Sequence, residues 1–338
     1  MDRPRIVPRY LPPMLAAAAL LGWSTAGLAT ADDKLRVVAS IKPVHSLVSA
    51  VMAGVGEPHL IVRGHSSPHT FTMRPSDAEA LEDAHIVFMI GDTMETTLAG
   101  PVDALAGDAR VVRLVHAPGL VRRPIREGGT FEEHDHDSHG DDGMDHHDDH
   151  DHDDHDDRAD DTDDHAPFDM HVWLDPINGW SMARAIAGAL AEIDPANAAT
   201  YKANIDALLY RLDRLTGEIA QEVAPVRGVP FIVFHDGYRY FEDRFGLAAT
   251  GSVVVSPDRA PGVRRISEIR DKVRELEVVC VFDEPQFDER LVRTVIEGSD
   301  VRSGTVDPLG VAIEDGPELY FTMLRNMATA FKDCLAPD

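Results

Sequence analysis

The chain has little positive charge, few aromatic residues and almost no cysteine. Among its 338 residues, 32 are Lys or Arg and 59 are Asp or Glu, so the formal net charge is −27. That deficit excludes general binding to nucleic acid, because contact with a phosphate backbone needs a surplus of Lys and Arg. Aromatic residues make up 6% of the chain, but apolar residues make up 43%, which is enough for ordinary globular cores. The length suits about two domains of roughly 150 residues each.

The chain has no long apolar run, and only a short apolar stretch lies near its start. Three arginines precede an apolar stretch at 14–22, and Ala-Thr-Ala at 29–31 has the small-x-small pattern of a cleavage site. We interpret residues 1–31 as a signal peptide, which places the mature protein outside the cytoplasm. An uncleaved membrane anchor is the alternative, but the run is shorter than the roughly 20 apolar residues of a spanning helix.

Cysteine is limited to Cys280 and Cys334. An oxidising compartment favours a bridge between two cysteines over two free thiols. The chain has no CxxC spacing, so a cysteine zinc site is disfavoured. Neither cysteine has a neighbouring histidine that would suggest nucleophilic chemistry.

One segment carries most of the charge. Residues 132–165 contain 18 Asp or Glu and one Arg, which contribute −17 and leave −10 for the rest of the chain. The segment has no periodicity and almost no apolar residue, so we expect it to be disordered. It holds nine of the 17 histidines: His134, His136, His139, His146, His147, His150, His152, His155 and His165.

Histidines spaced among carboxylates can chelate Zn²⁺ with variable geometry, and the dense negative charge attracts cations. One hypothesis makes this segment an auxiliary zinc collector that feeds His171, six residues beyond His165. The other makes it a solvated linker with incidental affinity for metal.

Strands alternate with helices on both sides of this segment, which predicts an α/β fold with mostly parallel sheets. Apolar runs predict strands at 35–41, 59–62, 85–90, 229–234 and 278–282. Apolar spacing and capping residues predict helices at 44–52, from the capping box Ser76–Glu79, at 175–193, from 195 to about 223, at 263–276 and at 317–335.

The helix that begins at 195 is long for a globular protein and has apolar residues every three or four positions. It suits a rigid spine between two lobes, and one long helix packed inside a single lobe is the alternative. The predicted organisation is an N-terminal lobe at 32–194, a linker helix at 195–224 and a C-terminal lobe at 225–338, with a metal site in the cleft between the lobes.

Three histidines lie in loops next to predicted strands or helices. His69 follows a strand and precedes a capped helix, His171 precedes a helix, and His235 stands at the end of a strand. Ligands of open α/β sheets bind beyond the carboxyl ends of the strands. Three imidazoles that converge there would form a zinc site, with a carboxylate or water in the fourth position.

Several segments resemble, in order along the chain, those of the periplasmic zinc-binding proteins of ABC importers, the ZnuA-like group. The first is His69-Thr70-Phe71-Thr72-Met73-Arg74-Pro75-Ser76-Asp77, and the second runs from Asp169 to Asn178. Phe234-His235-Asp236-Gly237-Tyr238 resembles the third ligand segment, and the segments that begin at Cys280 and at Thr305 are also similar. The resemblance covers essentially the whole mature chain and includes the interrupting His/Asp-rich segment.

The resemblance implies a two-lobed periplasmic receptor that carries Zn²⁺ to an ABC permease in the inner membrane. We expect the mature protein to be a monomer. It implies His69, His171 and His235 as zinc ligands, and a disulfide between Cys280 and Cys334. Some zinc members have Glu immediately before the first ligand histidine, where this chain has Pro68.

The fourth ligand is therefore water or Asp307, which matches the position of a carboxylate ligand in related receptors. A turn or cap before Pro308 is the alternative role of Asp307. Glu284 is interpreted as structural.

The chemistry of the site favours zinc, because nitrogen-rich sites suit Zn²⁺ or Cu²⁺ whereas Mn²⁺ prefers oxygen ligands. A zinc hydrolase would also use three protein ligands and an open position. Neither an HExxH motif nor a G-x-S-x-G motif is present, which disfavours a hydrolase. A periplasmic zinc buffer that relies on the acidic segment is the remaining alternative.

Overall fold

The computed structural model describes residues 34–126, 131, 168–254 and 261–337. The predicted signal peptide and the predicted disordered segment at 132–165 lie outside these residues. The elements of the first half are β1 (Val37–Ala39), α1 (Lys42–Val51), β2 (His59–Leu60), α2 (Pro75–Glu82), β3 (Ile86–Met89), α3 (Thr96–Leu105), β4 (Arg110–Arg113), α4 (Pro176–Ile193) and α5 (Ala198–Glu222). Those of the second half are β5 (Phe231–Val233), α6 (Arg239–Phe245), β6 (Ala249–Ser252), α7 (Val263–Glu275), β7 (Cys280–Asp283), α8 (Arg290–Ile296), β8 (Arg302–Thr305) and α9 (Leu319–Leu335).

Four parallel strands form the sheet of the first lobe, in the order β2-β1-β3-β4. Val38 in β1 pairs with His59 on one side and with Val87 on the other. Every residue of β1 and β3 is buried. Continuous apolar strands of this kind are typical of a parallel sheet that helices cover on both faces.

The second sheet repeats this topology, with four parallel strands in the order β6-β5-β7-β8. In each sheet the chain moves to one side of its first strand and then crosses to the other side for its third strand. This reversal creates a topological switch point, beyond whose carboxyl edge α/β proteins bind ligands. In the second lobe the switch point lies between β5 and β7. The two parallel sheets confirm the predicted fold class.

The long helix α5 covers 25 residues. Its buried residues are spaced four or three apart, as the sequence predicted: Tyr201, Ile205, Leu208, Leu212, Leu215 and Ile219. The helix packs against α1 and α4 from the first half of the chain and against α9 from the second. The core that it helps to form is continuous through both sheets. The helix is therefore packed along its length and joins the two lobes as part of their common core.

Contact between the lobes is not confined to α5. The C-terminal helix α9 packs against α1 as well as against β8. The backbone N–H of Tyr320 in α9 donates to the Ser46 hydroxyl in α1 at 3.0 Å. Within the described ranges, none of the helices combines the length and apolar character needed to cross a membrane.

Helix α2 begins earlier than the predicted capping box at Ser76–Glu79 implied. Helix α2 begins at Pro75, and the Asp77 carboxylate accepts a hydrogen bond from the Arg74 N–H at 3.3 Å. Asp77 therefore occupies the third helical position, which the sequence interpretation had assigned to Glu79. Proline is favoured in the first turn, where its missing N–H costs nothing, and this moves the start of the helix.

Cys280 and Cys334 form a disulfide that joins β7 to α9. The bridge is the one that the family resemblance implied. It ties the final helix to a central strand of the second sheet.

Candidate metal centre

His69, His171 and His235 meet in one cluster. Each offers one ring nitrogen, and these three atoms lie within 4.8 Å of one another. The ring centroids are 5.8 Å apart for His69 and His171, 6.1 Å for His69 and His235, and 5.0 Å for His171 and His235. Among the residues that the structure describes, no other group of three or more His, Cys, Asp or Glu residues has this geometry.

Each histidine reaches the cluster from a different part of the fold. His69 lies in the loop between β2 and α2. His171 immediately precedes a single turn of 3-10 helix that leads into α4. His235 follows β5 at the switch point of the second sheet, where chain topology favours a ligand. The site therefore lies between the lobes and takes at least one ligand from each half of the chain.

His171 and His235 are already close to the spacing that a zinc ion needs. Their Nε2 atoms are 3.1 Å apart. Two nitrogens bound tetrahedrally at about 2.0–2.1 Å from zinc would be about 3.3 Å apart. A bound ion would therefore require only a small change in this pair.

A carboxylate fixes the orientation of the His171 ring. Asp169 Oδ1 lies 2.7 Å from His171 Nδ1 and also accepts the His171 backbone N–H at 2.9 Å. Because an ionised carboxylate only accepts hydrogen bonds, Nδ1 carries the hydrogen and the Nε2 lone pair faces the cluster.

Glu284 fixes the orientation of the His235 ring in the same way. Its Oε1 atom lies 2.5 Å from His235 Nδ1, and both side chains are almost fully buried. Burial alone would lower the pKa of His235, but the negative charge and hydrogen bond of Glu284 raise it above the usual 6.5. The two carboxylates thus direct two Nε2 atoms toward one point, an arrangement that suits a cation.

The interpretation of Glu284 as structural did not include this contact with His235. Glu284 directly follows β7, and β7 is the neighbour of β5 in the sheet. The carboxyl ends of these two strands place Glu284 beside His235. The order of the strands would have indicated the contact, but the sequence does not give that order.

Gly237 leaves room for the ion. A Cβ atom at this position would lie 2.5 Å from His235 Nε2 and 3.0 Å from His171 Nε2. The first distance is shorter than real Cβ contacts, and the second is tighter than nearly all of them. Glycine is therefore required here by the close approach of the backbone to the two ring nitrogens.

The cavity between the three imidazoles is small, at about 10 Å³. Its apolar lining includes Met94, Trp173, Phe287 and Leu309. A space of this size accepts about one water-sized occupant. The site can therefore hold one ion with at most a small additional ligand.

The segment that carries His171 is fixed to the second half of the chain. The Tyr240 hydroxyl donates to the Asp169 carbonyl at 2.6 Å. The Trp173 Nε1–H donates to the Pro308 carbonyl at 2.8 Å. Both bonds attach the His171 segment to the half of the chain that carries His235. They therefore fix the position of His171 relative to His235.

The family model described as "Zinc-uptake complex component A periplasmic" matches residues 37–334. The chain belongs to this family. The high-affinity zinc uptake system protein ZnuA of Brucella suis biovar 1 is 51% identical over 327 residues, which cover 95% of this chain and 97% of the relative. The protein of the same name from Yersinia pestis is 33% identical over 335 residues, which cover 97% and 98%.

Among solved structures, the periplasmic zinc binding protein TroA from Treponema pallidum superposes with a TM-score of 0.71. It is 19% identical and covers 90% of this chain and 100% of its own. At that identity the likeness shows the shared two-lobed fold alone. The zinc-uptake component A family is a family of solute-binding receptors rather than of enzymes.

Asp307 is placed differently from the three histidines. Its carboxylate accepts the backbone N–H groups of Leu309, Gly310 and Val311 at 3.1, 2.9 and 2.7 Å. It also accepts a hydrogen bond from Gln286 Nε2 at 3.0 Å. These contacts are those of a turn cap, the alternative that the sequence allowed, and the histidine cluster does not include Asp307. Its role as the fourth ligand remains a prediction.

The auxiliary metal ligands predicted in the acidic segment, His134, His136, His139, His146, His147, His150, His152, His155 and His165, lie outside the described residues.

Proposed function

We propose that this protein is a periplasmic receptor that binds one Zn²⁺ through His69, His171 and His235 and delivers it to the permease of an ABC importer. The observation that supports this most is the convergence of the three imidazoles, two of which are oriented by buried carboxylates. Imidazole ligands favour zinc over manganese. Membership of the zinc-uptake family supports the same cargo and the periplasmic location.

The proposal extends to the rest of the chain. Residues 1–31 act as a signal peptide, and the mature protein is a monomer without affinity for nucleic acid. The lobes span 32–194 and 225–338, with the linker helix at 195–224 between them. The His/Asp-rich segment at 132–165 acts as an auxiliary zinc collector that feeds His171, and a solvated linker is the alternative.

A zinc hydrolase is disfavoured by the cavity. A hydrolase must place an organic substrate beside its metal and a general base beside the attacking water. A space of about 10 Å³ accepts one ion with at most a ligand the size of water, which is too small for such a substrate. A receptor that binds only the ion needs no space for an organic substrate.

Zinc binding by the mature protein, measured in competition with a chelator, tests the proposed ligands. We expect one tight site that His69→Ala, His171→Ala or His235→Ala weakens by at least about a hundredfold, since each removes one of three ligands. His65→Ala is the matched control, because His65 is exposed in the same loop as His69. Unchanged affinity in all three variants would contradict the proposed site.

A variant that lacks residues 132–165 separates a receptor from a zinc buffer. A receptor keeps its tight cleft site after the deletion and loses only weaker sites. A buffer that relies on the acidic segment loses its tight binding. The second result would replace the receptor proposal.

A further inference from the structure

The side-chain amide of Gln286 has a fixed orientation. Its Nε2 donates to Asp307 Oδ1 at 3.0 Å. A carboxylate oxygen can only accept, so the amide nitrogen must face Asp307 and the amide oxygen must point away from it. Asp307 is itself held by three backbone N–H groups of the turn that follows it. The hydrogen bond to Asp307 therefore fixes the position of the amide.

The amide oxygen lacks a hydrogen-bond partner. Gln286 Oε1 is buried, and no donor within the described residues reaches it. Leaving a buried acceptor unsatisfied costs about 1–3 kcal/mol. Such atoms are rare in folded proteins and call for a donor such as an ordered water.

The site already described can supply that donor. Gln286 contributes to the lining of the cavity that the three histidines enclose. Three protein ligands leave zinc one tetrahedral position, which water commonly fills. A water bound to zinc is a strong donor with two hydrogens, and the cavity has room for a small ligand of this kind.

We propose that Gln286 Oε1 accepts a hydrogen bond from a water molecule that completes the coordination of zinc. This inference rests on the proposed function. Asp307 then acts on the metal indirectly, by orienting the Gln286 amide, and does not bind the ion. Gln286 is a positioning residue, since it holds the fourth ligand rather than the metal.

Replacing Gln286 with methionine tests the proposal, because Gln286→Met keeps the length of the side chain and removes the acceptor. We expect the zinc dissociation constant to rise about 10–100-fold, as is typical when a partner of a metal ligand is removed. Gln221→Met is the matched control, because Gln221 is exposed on α5. We expect its zinc affinity to equal that of the wild type.

The wild-type protein provides a second readout that does not depend on whether a variant folds. Co²⁺ replaces zinc in histidine sites and gives a paramagnetic resonance signal. In water enriched with the magnetic oxygen isotope, we expect that signal to broaden, because one ligand is water. A signal without broadening would overturn the proposal and would indicate a protein atom in the fourth position.

The outcomes separate this inference from the function on which it rests. If His69→Ala abolishes tight zinc binding but Gln286→Met leaves it unchanged, the role of Gln286 is wrong and the receptor stands. If the wild-type protein has no tight site that depends on His69, the proposed function is wrong and the inference fails with it.

Discussion

At the scale of single residues, Gly237 shows how closely the backbone approaches the site. We expect Gly237→Ala to weaken zinc binding by at least about tenfold, or about 1.4 kcal/mol. The added Cβ would lie 2.5 Å from His235 Nε2, so the imidazole must move. Metal-free Gly237→Ala should unfold within a few degrees of the wild type. Chelator competition and thermal unfolding measure the two effects.

Gly217→Ala in α5 is the control for this prediction, because a Cβ there meets no atom within 4 Å. It should bind zinc like the wild type. A Gly237→Ala protein with wild-type zinc affinity would show that the ion does not lie where the three imidazoles converge.

The pH dependence of zinc binding also belongs to the residue scale. A protonated Nε2 cannot bind a metal, so protons compete with zinc at each histidine. Glu284 raises the pKa of His235 above 6.5, so competition begins at a higher pH than for an ordinary histidine. We expect affinity to fall by at least about tenfold between about pH 7.5 and pH 5.5 from His235 alone.

The raised pKa of His235 weakens zinc binding at low pH, but it makes the metal-free protein more stable at low pH. Protonated His235 contributes stability that is fully present below the unfolded pKa of 6.5 and is lost as pH rises through the folded value. Chelator competition across this pH range measures the effect on zinc. Affinity that stays constant with pH would exclude histidine as the principal ligand.

At the scale of secondary structure, the disulfide makes the clearest prediction. Cys280 and Cys334 are separated by 54 positions, and cross-linking a loop of that length restricts the unfolded chain. We expect Cys280→Ala/Cys334→Ala to lower the free energy of unfolding by about 2–4 kcal/mol. Zinc affinity should remain, because neither cysteine lines the cavity between the three histidines.

Denaturant unfolding of the metal-free proteins measures this difference. The same decrease should appear when the wild type is unfolded in the presence of a reductant. A double variant as stable as the oxidised wild type would contradict a stabilising role for the bridge.

The elements that could be predicted are those with a strong apolar pattern. The six buried residues of α5 follow a helical period, and the central strands β1, β3 and β5 are short apolar runs. Three of the four edge strands, β4, β6 and β8, have the sequences RVVR, ATGS and RSGT. Strands so poor in apolar residues are recognised only through their neighbours in the sheet, so the sequence did not predict them.

The candidate site was predictable to a similar extent. His69, His171 and His235 stand in loops next to predicted elements, and the family resemblance selected them from 17 histidines. The contact between Glu284 and His235 depends on the order of the strands, and the orientation of Gln286 depends on a turn 21 residues further along the chain. Neither relation leaves a local signal in the sequence.

At the scale of the whole molecule, a partly buried ion-pair cluster joins the two halves of the chain. Arg126 donates to Asp236 at 2.9 Å and to Glu242 at 2.7 Å. Glu242 is only 1% exposed. Burial raises the pKa of Glu242, although Arg126 acts against this. Arg126 therefore compensates a buried carboxylate of the opposite lobe.

We expect Arg126→Met to lower the free energy of unfolding by about 3 kcal/mol, because the Glu242 charge would be left buried without its partner. Arg126→Met/Glu242→Gln should recover much of the loss. The control is Lys202→Met, which removes an exposed ion pair with Asp206 and should change stability by less than about 1 kcal/mol. Equal stability of Arg126→Met and the wild type in denaturant unfolding would contradict this role.

The most direct test of the account is anomalous X-ray diffraction at the zinc edge, from crystals of the zinc-loaded protein that lacks residues 132–165. We predict one strong peak at about 2.0–2.1 Å from one ring nitrogen each of His69, His171 and His235. A peak bound by other residues, or no peak in crystals grown with zinc, would contradict a zinc site between the two lobes.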